Sequence, residues 1–422
     1  MQFVSTRGQS PAVTASEAIL QGLAVDGGLY VPAWFPHLAI ESLLGATSYP
    51  ELAFEVLAPF FVGDELEHDL AEICVDAFDF PVPLHWYDEK QAVLELFWGP
   101  TAAFKDFGAR FLAASMQRLL EKRNRKLTIL VATSGDTGGA VAAAFHKRPG
   151  ITVKVLFPKG KVSKRQEKQL TCWGDNVEAY AVRGTFDDCQ RMVKDAFMDR
   201  RLVARHGLSS ANSINLGRLL PQMVYAFHAA LEMFVRTGKE TTAIIPSGNV
   251  GNSCASYWAK VCGAPISRIV LALNENRPIL DYLHTGDYRK RPSIQTLANA
   301  MDVGDPSNME RLTHLFGSHE GFSKEVSAYS VDDETIRKTI GRVHAERSYV
   351  VCPHTATGEW VRDQVLASGP TVVYATAHPA KFETTVEPVI GCEVPVPVQL
   401  SALFDKPSSC REIEADHTLL FS

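Results

Sequence analysis

The chain has 422 residues, 46% of them hydrophobic, with a formal net charge of −6 and a sequence isoelectric point near 6.1. That length can bury two or three cores, while the acidic balance excludes a general electrostatic attraction for nucleic acid or an anionic membrane. A small-molecule partner is the expectation that remains.

The first residues, MQFVSTRGQSPAVTASEAIL, lack the charged start and unbroken apolar run of a secretory signal. No later stretch is long enough to span a bilayer, so a cytoplasmic protein is expected. Cys74, Cys172, Cys189, Cys254, Cys262, Cys352, Cys392 and Cys410 form no CxxC pair and no cluster with histidine; reduced thiols and no metal are expected.

Residues 1–90 mix helical patterns such as YPELAFEVLAPFF with turn-rich pieces such as VDGGLYVP and are read as an N-terminal lobe. Next comes LFWGPTAAFKDFGARFL, residues 96–112, an apolar segment that reads as strand, turn and helix start around one lysine, Lys105. Either Lys105 pairs with Asp106 on a solvated turn, or Phe104, Phe107 and Phe111 desolvate it into the neutral amine that imine chemistry needs.

From Leu127 strands and helices alternate: LTILVAT, TGGAVAAAFHK, ITVKVLF, SKRQEKQLTCWG, NVEAYAV and TFDDCQRMVKDAFMD. The alternation implies parallel sheet covered by helices. A long apolar-periodic helix is expected from about Asn215 to Arg236, interrupted by Pro221. The alternation then resumes with TTAIIPS, NSCASYWAKVCG, ISRIVLALN and, late in the chain, TVVYATA followed by a helix near PAKFETTV. The expected architecture is α/β, with two open, mostly parallel domains: a smaller one over 91–214 and a larger one over 215–422. A ligand would bind beyond the carboxyl ends of the strands.

Four loops at such ends could carry chemistry. In ATSGDTGGA, Ser134, Gly135, Asp136 and Thr137 open a helix, where N–H groups favour an anion; capping by Asp136 or Thr137 needs no ligand. In IIPSGNVGN, Ser247, Gly248, Asn249, Val250, Gly251 and Asn252 can wrap a phosphate, and the absence of GK[ST] and GxGxxG counts against kinases and nicotinamide dehydrogenases. The run PKGKVSKRQEKQ carries Lys159, Lys161, Lys164, Arg165 and Lys168; it reads as a solvated helix face, except that Lys161 lies in the glycine turn after a strand, where a substrate anion would be met. In YATAHPAKF, Thr376 either caps a helix or bonds a ligand, and His378 reads as structural or as a base. Nothing resembles a zinc site.

Together, GPTAAFKDFG, ATSGDTGGA, PSGNVGN and TAHPAKF resemble the pyridoxal-phosphate enzymes of the tryptophan synthase β fold (fold type II), and within them the bacterial and fungal branch of the threonine synthase family. STRG, DGGLYVP, NSINLGRLLPQ and NAMDVGDPSN extend the resemblance over nearly the whole chain. It implies Lys105 as the Schiff-base lysine, Gly248 to Asn252 with Ser247 as the phosphate loop, Asp136 beside the cofactor's phenolic oxygen, and Thr376 facing its pyridine nitrogen. Val250 stands where the family often has phenylalanine, and Asn252 where aspartate is common.

By the same resemblance the substrate is O-phospho-L-homoserine, converted with water to L-threonine and phosphate in threonine biosynthesis. Its carboxylate is expected at Ser134, Gly135 and Thr137, and its phosphate at Lys161, with Asn215 or Arg218 as weaker candidates. The family branch also implies a monomer.

Overall fold

The computed structural model describes residues 1–133, 135–365 and 369–421. Its strands in chain order are β1 (Phe3–Ser5), β2 (Tyr30–Pro32), β3 (Leu84–Trp86), β4 (Gln91–Glu95), β5 (Leu127–Ala132), β6 (Ile151–Pro158), β7 (Val177–Val182), β8 (Leu208–Ser210), β9 (Thr241–Pro246), β10 (Ile266–Leu273), β11 (Val326–Ser330), β12 (Thr371–Ala375) and β13 (Arg411–Ile413). A large sheet has the order β11-β10-β9-β12-β4-β3, and a small one β13-β7-β6-β5-β8. Every pairing in them is parallel except β3 with β4. The apolar runs ILV of β5 and AII of β9 are buried, as strands covered on both faces require.

The sheets cross the boundaries drawn from sequence. Strand β3, placed in the N-terminal lobe, and β4, placed in the smaller domain, both belong to the large sheet, whereas β13 from the far C-terminus closes the small one. Parallel strands pair through long crossovers, so neighbours in the chain need not be neighbours in a sheet. The strand expected within 96–112 is instead β4, which ends at Glu95. The helix expected over 215–236 is two pieces, Leu216–Leu219 and Gln222–Thr237, with Pro221, which has no N–H to donate, at the junction.

The N-terminal lobe packs on the helix Lys105–Lys122, with the Phe61 and Phe78 rings 6.1 and 6.3 Å from that of Phe111. Among the described residues no helix is long and apolar enough to cross a membrane. The pairings β4–β12–β9 align Glu95, Ala375 and Pro246 toward one edge of the large sheet, and the loops leaving that edge meet those leaving β5 and β6.

Candidate active site

Lys105 is the first residue of its helix and is held there from the other half of the chain. The N–H of Phe104 donates to the Thr376 carbonyl at 2.9 Å and the N–H of His378 to the Ala102 carbonyl at 3.0 Å, while Ala103 bridges Ala377. The turn is tight enough to hold Ala102 at φ 53°. Asp106 does not pair with Lys105 on a solvated turn. It is buried and accepts from the Thr101 N–H at 2.9 Å and the Thr101 hydroxyl at 2.6 Å.

The carboxylate beside Lys105 is Asp136, from the loop after β5. Its Oδ2 lies 3.8 Å from Lys105 Nζ, and its Oδ1 lies 2.8 Å from Nζ of Lys381. Burial opposes the charge on Asp136, but Lys381 and then Lys105 outweigh it and hold the carboxyl well below its usual range. Burial pushes the Lys105 ammonium down; Asp136 opposes this, while Lys381 and Arg218 reinforce it. The positive end of its own helix acts in the same sense. The Lys105 side chain keeps 15% of its surface exposed, so the amine remains reachable.

The loop leading to Asp136 needs glycine at 135, where φ is 151° and a Cβ would meet Nε2 of Gln166 at 2.5 Å. Thr133 closes the turn, its hydroxyl accepting the N–H groups of Gly135 and Gly138 at 3.0 and 2.9 Å. Thr137 is half-buried in the first helical turn, whose N–H groups have no helical carbonyl. Ser134, also expected here, lies outside the described residues.

After β9 the segment 247–252 forms a cradle. A Cβ on Gly248 would sit 2.6 Å from the Met301 Cα, so only glycine fits under the loop that covers it. Val250 adopts φ 48° and ψ 19°, a strained conformation for a β-branched residue that re-aims the backbone into the helix Gly251–Val261. At that helix start Asn252 is buried with neither its Nδ2 nor its Oδ1 partnered among the described residues. A buried amide without partners is costly, and one beside unpaired helix N–H groups suits a phosphate. The Ser247 and Asn249 side chains face the scaffold instead: Ser247 Oγ donates to the Ile245 carbonyl at 2.8 Å, and Asn249 Nδ2 to Ser213 Oγ at 2.6 Å.

The remaining expected residues divide. Arg218 is buried, with NH1 on the Ala211 carbonyl at 2.6 Å and Nε unpartnered among the described residues; burial lowers it to about 10. Asn215 belongs to the scaffold, because its Nδ2 donates to the Ile19 and Ser210 carbonyls and its Oδ1 accepts the Gly217 N–H. Lys161 is exposed on the turn after β6. Of its basic run, Arg165 donates to the Ala380 carbonyl and pairs with Glu383 at 3.3 Å, and Lys168 donates to the Lys406 carbonyl. Those two fasten the small sheet's helix to the C-terminal segment. Thr376 is buried at the strand end, and His378 caps the next turn by accepting the Ala380 N–H at 3.1 Å.

Two residues were missed from sequence. Lys381 had the same signal as Lys105, a lysine between apolar neighbours in PAKF. His354 had none: it is buried, accepts the Ala300 N–H at Nε2 at 3.1 Å, and faces Asp136, Lys105 and Lys381 electrostatically.

Comparison with known proteins places these loops in context. Residues 92–364 match a family model described as pyridoxal-phosphate dependent enzyme, residues 2–78 one described as threonine synthase N terminus, and residues 355–420 one described as threonine synthase, C-terminal. The chain is 37% identical to the threonine synthase of Escherichia coli K12, covering all of this chain and 98% of the relative. Among solved structures, a pyridoxal-phosphate-bound threonine synthase from Brucella melitensis superposes with a TM-score of 0.95 at 36% identity, covering 100% of this chain and 98% of that one. Yeast threonine synthase superposes at 0.92 with 29% identity, covering 100% and 97%.

Proposed function

This chain belongs to the threonine synthase family of pyridoxal-phosphate-dependent enzymes, and from that membership we propose that it converts O-phospho-L-homoserine and water to L-threonine and inorganic phosphate, in threonine biosynthesis. The observation that carries the site assignment is the reachable, desolvated amine of Lys105 opposite Asp136, together with the Asn252 amide at a helix start, unpartnered among the described residues.

The residues fit the cofactor. The amine would hold its aldehyde carbon. The Gly248–Asn252 backbone and the Asn252 amide would hold its phosphate, Asp136 would lie beside its phenolic oxygen, and Thr376 would face its ring nitrogen. When bound, pyridoxal phosphate supplies an electron sink for charge developing on an amino-acid substrate. A neutral threonine hydroxyl at the ring nitrogen, in place of a carboxylate, would leave that nitrogen largely unprotonated and so favour elimination and replacement.

Lys105 is the base that moves protons: burial and neighbouring cations push its ammonium down, which favours the free amine that a base needs. As a free amine, Lys105 would take the proton from the substrate Cα and then one from Cβ, so that phosphate departs from Cγ. It returns a proton to Cγ and, after water has added at Cβ, to Cα. The substrate carboxylate meets the helix start at Gly135 and Thr137. The substrate phosphate meets Lys161 from the turn after β6, with Arg218 as the buried alternative.

The family branch implies a cytoplasmic monomer, and no nucleic-acid partner is proposed; the net charge of −6 and the engagement of Arg165 and Lys168 within the fold support the latter. Incubation of the reconstituted protein with O-phospho-L-homoserine tests the reaction. Threonine formed in equal amount to phosphate is the expected result, and 2-oxobutanoate with ammonia would contradict it.

A further inference from the structure

Lys381 is a second lysine inside the site, and no step of the reaction uses it. It sits in the short helix Pro379–Phe382 with 1% of its side-chain surface exposed. Its Nζ donates to the Thr101 carbonyl at 2.8 Å and lies 2.8 Å from Asp136 Oδ1, a full ångström closer to that carboxylate than Lys105 Nζ at 3.8 Å. Thr101 in turn binds Asp106 through both its N–H and its hydroxyl, so Lys381 is tied to the start of the Lys105 helix.

We propose that Lys381 is a positioning residue that takes Asp136 as its own counter-ion and thereby denies that carboxylate to Lys105, keeping Lys105 available as a free amine. The inference rests on the assignment of Lys105 as the cofactor lysine.

The charge balance supports it. The groups that face Lys105 are Asp136 from the loop after β5, Lys381 from its short helix, Arg218 from the segment before Gln222, Asp106 from its own helix, and His354 from the helix Pro353–Val365. His354 is neutral. With Lys105 protonated, three cations face two carboxylates; with Lys105 neutral the cluster balances. Because Lys381 holds Asp136 directly, the surplus charge is relieved most readily at Lys105. Without Lys381, Lys105 would be the cation nearest Asp136, and its ammonium would gain a tight partner.

Capture of pyridoxal phosphate by the full-length protein freed of cofactor tests this. The amine adds to the aldehyde, water leaves and a C=N bond forms, followed by absorbance across a pH series. In Lys381→Met the pH of half-maximal capture is expected to rise by about one unit, so that capture at a fixed lower pH slows about tenfold. Lys381→Arg, which keeps the charge, is expected to restore the profile, and in an Asp136→Asn background Lys381→Met is expected to shift it by clearly less than in the unaltered background, leaving only the direct repulsion between the two lysines. Should Lys381→Met not fold, Lys381→Gln, which keeps donors for Asp136 and Thr101, carries the same expectation. A profile superimposable on that of the unaltered protein would overturn the inference. Lys105→Ala separates the two failures: capture that persists without Lys105 overturns the site assignment, whereas capture that needs Lys105 but ignores Lys381 overturns this inference alone.

Discussion

The N–H of Phe104 donates to the carbonyl of Thr376 at 2.9 Å, so the residue just before Lys105 is fixed by the end of β12. One hydrogen bond thus couples the reactive amine to the threonine assigned to the cofactor's ring nitrogen.

The Asn252 amide is buried without partners among the described residues, which makes it a cost in the cofactor-free fold and a benefit once a phosphate is present. Asn252→Ala is expected to weaken pyridoxal phosphate binding by about tenfold or more, the loss of a hydrogen bond to a charged group being about 1.5–3 kcal/mol. Stability of the cofactor-free protein is expected to stay level or rise by about 1 kcal/mol. Cofactor titration and urea unfolding of the same variant check both signs; a large loss of stability without cofactor would show that Asn252 serves the scaffold.

Gly248→Ala is expected to weaken cofactor binding and to destabilise the fold by about 1–3 kcal/mol, because its Cβ would fall 2.6 Å from the backbone at Met301. The loop over the cradle must move to make room. Thermal unfolding with and without cofactor measures this, and behaviour like that of the unaltered protein would mean the loop yields freely.

Burial holds His354 down to about 3; Asp136 opposes this, while Lys105 and Lys381 reinforce it. In the unfolded chain a histidine protonates near 6.5 (about). Between those values the unfolded chain binds more protons than the folded one, so stability falls as pH drops from about 6.5 toward about 3. His378, held near about 4, contributes in the same direction. His354→Gln keeps an acceptor for the Ala300 N–H and is expected to reduce the pH slope by up to about 1.4 kcal/mol per pH unit. Urea unfolding over a pH series reads the slope directly, and an unchanged slope would mean that His354 does not stay neutral in the fold.

Much of the fold was legible because buried parallel strands are written as short apolar runs: β5, β7, β9, β10 and β12 fall within the segments expected of them, and β6 runs past its segment only by Pro158. Strands β8 and β13, only three residues each, carry too little pattern to register. The sheet to which β4 or β13 belongs is decided by crossovers and packing, not by local sequence. Within the site, loops beside strand ends could be read one at a time. The pairing of Lys381 with Asp136 joins segments that only the folded chain brings together. The Asn215 assignment went to a side chain that the fold uses to cap a helix, since a polar residue in a motif looks the same in either role.

The central assignment, Lys105 in preference to Lys381, is tested most directly by borohydride reduction of the protein loaded with pyridoxal phosphate, followed by mapping of the modified peptide. The phosphopyridoxyl group is expected on Lys105, in the peptide containing TAAFKDFG. Its recovery on Lys381, or on any other lysine, would contradict the site built here.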